Sequence, residues 1–191
     1  MNDMRKISSI CIYCGSQPGN QQEFIQSAEE IGEQMARAGV TLVYGGGNSG
    51  IMGAVSQAVL ENGGHVKGII PEFLLSHEGS WDRSTKNLTT IITASMHERK
   101  QKMFELSDAF VALPGGIGTL EEIVEILTWA QLGRHEKPIG FLNTNGFWDP
   151  VFELIDHMKT AGFIHASNRL NPIVIENPTE MISDLKGVTS E

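Results

Sequence analysis

A chain of 191 residues, 40% hydrophobic and 19% charged, is long enough to bury one core without disulfides or metals, and we expect a single domain over residues 1–191. The formal net charge of −9 excludes a basic nucleic-acid surface, and no apolar run approaches the roughly 20 residues that span a bilayer. No secretory pattern opens the sequence, because Ser8 to Cys14 is too short for an apolar leader segment, so the expected compartment is the cytoplasm.

Ile7 to Cys14 reads as a first strand and runs into the turn at Gly15-Ser16. Gln21 to Ala38 carries Phe24, Ile25, Ala28, Ile31 and Met35 at helical spacing, and Gly39 ends it. Thr41 to Tyr44 is a second strand leading into the glycine turn 45–50, followed by a helix from Ile51 to Glu61. His65 to Ile70 is a third strand stopped by Pro71. The polar stretch 71–86, with Glu78 in it, is long for a connection in a compact domain and so has a functional cast.

Leu88 to Thr93 gives a fourth strand, and Ser95 to Leu106 a helix that opens with the capping box Ser95-x-x-Glu98. Ala109 to Leu113 is a fifth, fully apolar strand. It is followed by Pro114-Gly115-Gly116-Ile117-Gly118-Thr119-Leu120-Glu121-Glu122 and a helix through Ala130. Pro138 to Leu142, a helix from Phe147 to Thr160, a short strand Ile173 to Ile175 and a terminal helix Pro178 to Leu185 complete the chain. Strands alternating with helices predict an α/β fold, a parallel sheet of about seven strands with helices on both faces. Ligands of such sheets bind beyond the carboxyl ends of the strands, where both glycine turns and Gly15-Ser16 fall.

The stretch 114–122 has the chemistry of an anion site. Glycines permit close approach, free N–H groups point outward, and the helix dipole favours negative charge. Thr119-x-x-Glu122 also matches a capping box, so spacing alone leaves open whether Glu122 ties off its helix or faces a ligand. In Met96-His97-Glu98-Arg99-Lys100, two cations stand near the positive end of a helix, where each costs about 0.3–1 kcal/mol. A bound anion reverses that sign, which favours a phosphate-facing role for Arg99 and Lys100, whereas His97 has no triad partner and reads as structural.

Gly45-x-Gly47-x-x-Gly50, with Glu72 beyond it, weakly matches a dinucleotide fingerprint, and it reads equally as a tight turn that packs a helix on the sheet. A P-loop is excluded, since no Lys-Ser/Thr follows either glycine turn. Cys11 and Cys14 lie three apart on a strand and point to opposite faces, which favours buried thiols over a redox or zinc pair.

Taken in order, Cys14-Gly15-Ser16, the loop from Gly45 to Gly53, Met96-His97-Glu98-Arg99-Lys100, Pro114-Gly115-Gly116-x-Gly118-Thr119-x-x-Glu122 and Thr128-Trp129-Ala130-Gln131-Leu132-Gly133 with Lys137-Pro138 resemble the LOG ("lonely guy") family. These are the cytokinin riboside 5′-monophosphate phosphoribohydrolases, whose members often carry the label lysine decarboxylase. The resemblance runs from about Ile10 to about Ile175. It implies a Rossmann-like fold, usually dimeric, that hydrolyses the N-glycosidic bond of a nucleoside 5′-monophosphate without a cofactor. It implies that Arg99 and Glu122 are catalytic and that Lys100, Gly115, Gly116, Gly118 and Thr119 form the substrate loop. Glu78 and Thr128 match further substrate contacts, and Ser16 and Gly46, in the first two turns, are added to them.

The chemistry is intelligible from the residues. Cleaving a ribosyl C–N bond builds positive charge on the sugar, which a carboxylate beside the anomeric carbon stabilises while it orients or activates water. A phosphate held by Gly and Thr N–H groups fixes the ribose against that carboxylate. Sequence leaves open whether Arg99 holds the phosphate or the carboxylate. A nucleotide-sensing module on the same fold is the other class of function, which needs the glycines and cations but not Glu122. Nothing in the sequence marks a Schiff-base lysine with pyridoxal phosphate partners, so the decarboxylase label finds no support. Trp129 and Leu132, which prolong the apolar face of the motif helix, predict a homodimer.

Overall fold

The computed structural model describes residues 6–75, 84–164 and 171–187. Strand β1 (Ser9–Tyr13) leads through helix α1 (Gln22–Arg37) to β2 (Thr41–Tyr44), and α2 (Gly50–Glu61) leads on to β3 (Val66–Pro71). After β4 (Leu88–Thr93), α3 (Met96–Glu105) returns the chain to β5 (Ala109–Ala112). Then come α4 (Ile117–Gln131), β6 (Ile139–Leu142), α5 (Asp149–Thr160), β7 (Ile173–Ile175) and α6 (Met181–Gly187).

The strands form one seven-stranded sheet in the order β4-β3-β2-β1-β5-β6-β7, and every pairing is parallel. The chain winds outward from β1 to β4, crosses back, and winds outward again on the other side. Right-handed crossovers therefore put α1 and α2 on one face and α3 and α4 on the other. This is the doubly wound, Rossmann-like arrangement that the alternation of elements predicts.

Period-2 alternation along β1 divides the core between the two faces. Ile10, Ile12 and Cys14 pack with Phe24, Ile31, Met35, Val55 and Leu185 on one side. Cys11 and Tyr13 pack with Met103, Phe110, Ile123 and Phe141 on the other. The two cysteines are thus buried on opposite faces as free thiols, and burial pushes both far above the ordinary thiol range. Each fully buried side chain of the size of Phe110 contributes about 1.5–3 kcal/mol of burial free energy.

Boundaries shift where backbone hydrogen bonds decide them. The first strand pairs only over Ser9–Tyr13. The last helix is preceded by a separate 3-10 turn at Pro178–Glu180, which Asn177 caps by accepting from the Thr179 N–H. Half of the Ser95 box forms: Ser95 Oγ accepts the Glu98 N–H at 3.2 Å, while Glu98 Oε2 accepts the N–H of Ala94, one residue before the N-cap, at 2.9 Å.

The box at Thr119 and Glu122 does not form. Helix α4 starts at Ile117 with Gly116 as its N-cap and no side-chain cap. Thr119 is therefore already inside the first turn, and Glu122 lies beyond the reach of any N-cap N–H. Gly116 adopts the extended cap conformation without a side chain to satisfy, so the first N–H groups of the helix stay open toward the cleft.

Beyond α4, His135 ties the chain back onto that helix. Its Nδ1 accepts the Lys137 N–H at 3.1 Å and its Nε2 lies 3.1 Å from the Ile126 carbonyl, which fixes the Nε2–H tautomer. Burial, and secondarily Lys137, lower its pKa below the ordinary 6.5. A histidine depressed in the folded state contributes stability that is complete above its unfolded pKa and is lost as pH falls through the folded one. Melting temperature should therefore fall between about pH 7 and pH 5 more steeply in the wild type than in His135→Asn. Parallel pH profiles for the two proteins would refute this.

Candidate active site

The direction of winding reverses between β1 and β5, and ligands of such sheets bind at that point. Three backbone segments meet there. The Gly15 N–H donates to Pro114 O at 3.1 Å, and the Met52 N–H donates to Gly15 O at 3.1 Å. Gly115 makes the first contact possible, because a Cβ there would stand 2.9 Å from the Gly15 nitrogen and 2.2 Å from Thr119 Oγ1.

Above these segments opens a cleft of about 390 Å³, within the range of small-molecule sites. It is lined by Tyr13, Cys14, Ser16 and Met52, by Met96 and Arg99 of α3, and by the start of α4. Gly116, Gly118 and Thr119 line it with the first turn of α4, which carries no acidic side chain. Unpaired N–H groups and an uncompensated positive dipole end make this turn an anion cradle.

Arg99, from α3, is buried. Its Nε donates to Ile69 O at 3.1 Å and one terminal nitrogen donates to Gly45 O at 3.4 Å, so the carboxyl ends of β3 and β2 hold the fork. The other terminal nitrogen lies 3.7 Å from Glu122 Oε1 and 3.7 Å from the sulfur of Met96. Arg99 therefore faces the carboxylate. These carbonyl and carboxylate contacts offset the cost of a cation near a helix N-terminus.

Glu122 is only 12% exposed, against the cleft. Two neighbours, Tyr13 at the end of β1 and Cys14 just beyond it, stay protonated. Burial, with contributions from Cys11 and Glu122, raises the Tyr13 phenol, and burial and Glu122 raise the Cys14 thiol. A carboxylate beside one guanidinium and two neutral groups, with access to a cleft, suits charge stabilisation at a reacting carbon.

The structure gathers Ser16, Arg99, Gly116, Gly118, Thr119 and Glu122 on this one cleft. Four other candidates stand off its described lining. Lys100 turns along α4, paired with Glu121 and 3.4 Å from Glu125; burial opposes its charge, and these contacts outweigh burial and raise its pKa. Gly115 lies behind Thr119, and Gly46 is packed against Ile70 with φ of +86°. Thr128 is exposed further along α4, its hydroxyl donating to Val124 O at 2.8 Å. Glu78 lies outside the described residues.

In and just after the fingerprint, Gly50 and Gly53 serve packing. A Cβ on Gly50 would stand 2.5 Å from the Ser16 carbonyl, and one on Gly53 2.4 Å from Asn48 O. Met52 and Met96 fall inside motifs read for their glycines and cations, and Tyr13 carries no motif of its own. For Tyr13 the signal was its place at the carboxyl end of the central strand.

The sequence model of the family described as "Possible lysine decarboxylase" matches residues 52–185. A cytokinin riboside 5′-monophosphate phosphoribohydrolase of Oryza sativa subsp. japonica is 46% identical over 170 residues, covering 89% of this chain and 68% of that protein. A cytokinin riboside 5′-monophosphate phosphoribohydrolase of Arabidopsis thaliana is 41% identical over 181 residues, covering 95% and 84%. Among solved structures, a molybdenum cofactor binding protein of Rippkaea orientalis superposes with a TM-score of 0.67 at 23% identity, over 95% of this chain and 96% of that one. At that identity the likeness concerns the fold alone.

Proposed function

The chain belongs to the family of cytokinin riboside 5′-monophosphate phosphoribohydrolases, and from that membership we propose that it hydrolyses the N-glycosidic bond of nucleoside 5′-monophosphates, AMP or cytokinin riboside monophosphates, to free base and ribose 5-phosphate. The observation that carries the reading is that the Arg99–Glu122 pair, 3.7 Å apart, and the open N-terminus of α4 line one cleft.

The phosphate takes the first-turn N–H groups of α4 and the Thr119 hydroxyl, which sets the ribose over Glu122. As the C1′–N bond lengthens, the electron pair leaves with the base and positive charge grows on the sugar. The Glu122 carboxylate stabilises that charge and takes a proton from the water whose oxygen bonds to C1′. Arg99, 3.7 Å away, keeps the carboxylate aimed. The departing base gains a proton, so atoms and charge balance with water as the co-substrate.

Incubating the protein with AMP, the other nucleoside monophosphates and isopentenyladenosine monophosphate, and separating free base from nucleotide, tests this. Release of base supports it. Nucleotide binding without base release would leave a nucleotide-binding module, for which the α4 cradle alone suffices.

We also propose a homodimer formed through α4. Ile117, Val124 and Leu132 are 82%, 44% and 70% exposed, and with Thr128 they share one helical face. Trp129 belongs to the core side instead: it meets the Phe104 ring edge-on at 5.1 Å, with Arg134 4.6 Å over its own ring. Sedimentation at micromolar concentration should give a dimer mass, and the double variant Val124→Glu, Leu132→Glu a monomer. A monomeric wild type would contradict the proposal. The free thiols Cys11 and Cys14 suit a reducing compartment, and we assign the protein to the cytoplasm.

A further inference from the structure

We infer that Gly45 is a positioning residue for the reaction: the side chain it lacks leaves the slot that the Arg99 guanidinium occupies, and its carbonyl fixes the guanidinium there against Glu122. The inference rests on the reading of Arg99 and Glu122 as the reacting pair. A Cβ on Gly45 would stand 2.2 Å from a terminal nitrogen of Arg99, and 3.4 Å from both the guanidinium carbon and the Met52 sulfur. All three nearest atoms are side-chain atoms, and the one severe clash is with the guanidinium.

Gly45 differs in this from Gly50 and Gly53, where an added Cβ runs into backbone at 2.5 and 2.4 Å and the chain itself must move. Nor does backbone conformation demand glycine at 45, since its φ is not among the positive ones. What the position requires is space for one catalytic side chain. The carbonyl of the same residue accepts from the displaced nitrogen at 3.4 Å, so a methyl group both fills the slot and breaks the hold. The 3.7 Å approach of the guanidinium to Glu122 depends on that hold, and small misplacements of reacting groups are costly.

Gly45→Ala, Arg99→Ala and the double variant form a cycle read in kcat, KM and melting temperature with AMP as substrate. Gly45→Ala should lower kcat by about 10-fold or more with KM within about threefold, because the guanidinium moves while the α4 cradle stays. Added to Arg99→Ala, the same substitution should change kcat by less than about twofold, since the group it displaces is gone. If Gly45→Ala unfolds, the double variant should recover the melting temperature of Arg99→Ala. Wild-type kcat in Gly45→Ala, or an equal loss of kcat or stability with Arg99 present and absent, would overturn the inference. A wild-type protein that releases no base from AMP, the other nucleoside monophosphates or isopentenyladenosine monophosphate would instead sink the hydrolase reading, and the melting-temperature cycle still decides whether position 45 acts through Arg99.

Discussion

Glu122→Gln is expected to lower base release from AMP by about 10²-fold or more, the scale of general acid–base contributions, with a melting temperature close to that of the wild type. Glutamine keeps the volume of the side chain and a hydrogen-bonding oxygen, but it has no charge to offer the sugar and no basicity to take a proton from water. The structure removes the competing explanation for a loss. A capping glutamate would reach back to the N-cap, but α4 begins at Ile117 behind an extended Gly116, so Glu122 is past the first turn. Losing a cap costs about 1 kcal/mol, and neither Glu122→Gln nor Glu122→Ala should show that cost. Arg99, left without its carboxylate, retains the Ile69 and Gly45 carbonyls at 3.1 and 3.4 Å and stays beside the cleft, so the fold keeps its hold on the cation. Adenine release and thermal melts of both variants check this. Near-normal hydrolysis by the glutamine variant would return Glu122 to a structural role.

The strands were legible because the central ones are buried on both faces and read as short apolar runs between turn residues, as Ala109 to Leu113 does between Asp108 and Pro114. Their parallel order followed from the helices between them. Where α4 begins was not legible. The box at Thr119 and Glu122 is a valid local pattern, and it lost to an earlier start at Gly116, where an N-cap needs no side chain when the cleft takes the free N–H groups. The cations of α3 illustrate the same limit. Sequence places Arg99 and Lys100 together near a positive helix end and predicts one role for both. Successive residues on a helix point about 100° apart, so Arg99 enters the cleft wall and Lys100 lies along Glu121 and Glu125. The slot above Gly45 was out of reach because it joins residues 54 apart in sequence, and only folding brings β2 under α3.

Hydrolysis should depend on the 5′-phosphate: AMP is expected to exceed adenosine in kcat/KM by about 10²-fold or more, since remote binding energy is used to place the reacting bond. A protein of net charge −9 does not attract a dianion from a distance. The attraction has to be local, and the start of α4 supplies it through free N–H groups, a dipole end with no acidic residue in its first turn, and glycines at 116 and 118 whose missing side chains leave open space. Thr119→Val removes one hydroxyl at nearly constant volume. It should lower AMP turnover about 10-fold and leave whatever adenosine turnover exists unchanged, because adenosine brings no phosphate to that hydroxyl. Lys100→Ala should reduce AMP turnover far less than Arg99→Ala does, since the Lys100 ammonium is engaged by Glu121 and Glu125 and Lys100 is not part of the described lining of the cleft. Initial rates with AMP and adenosine at equal concentration, for the wild type and the three variants, give every ratio needed. Equal turnover of the nucleoside would remove the phosphate from the mechanism, and with it the reason for the α4 cradle and Glu122 to share one cleft.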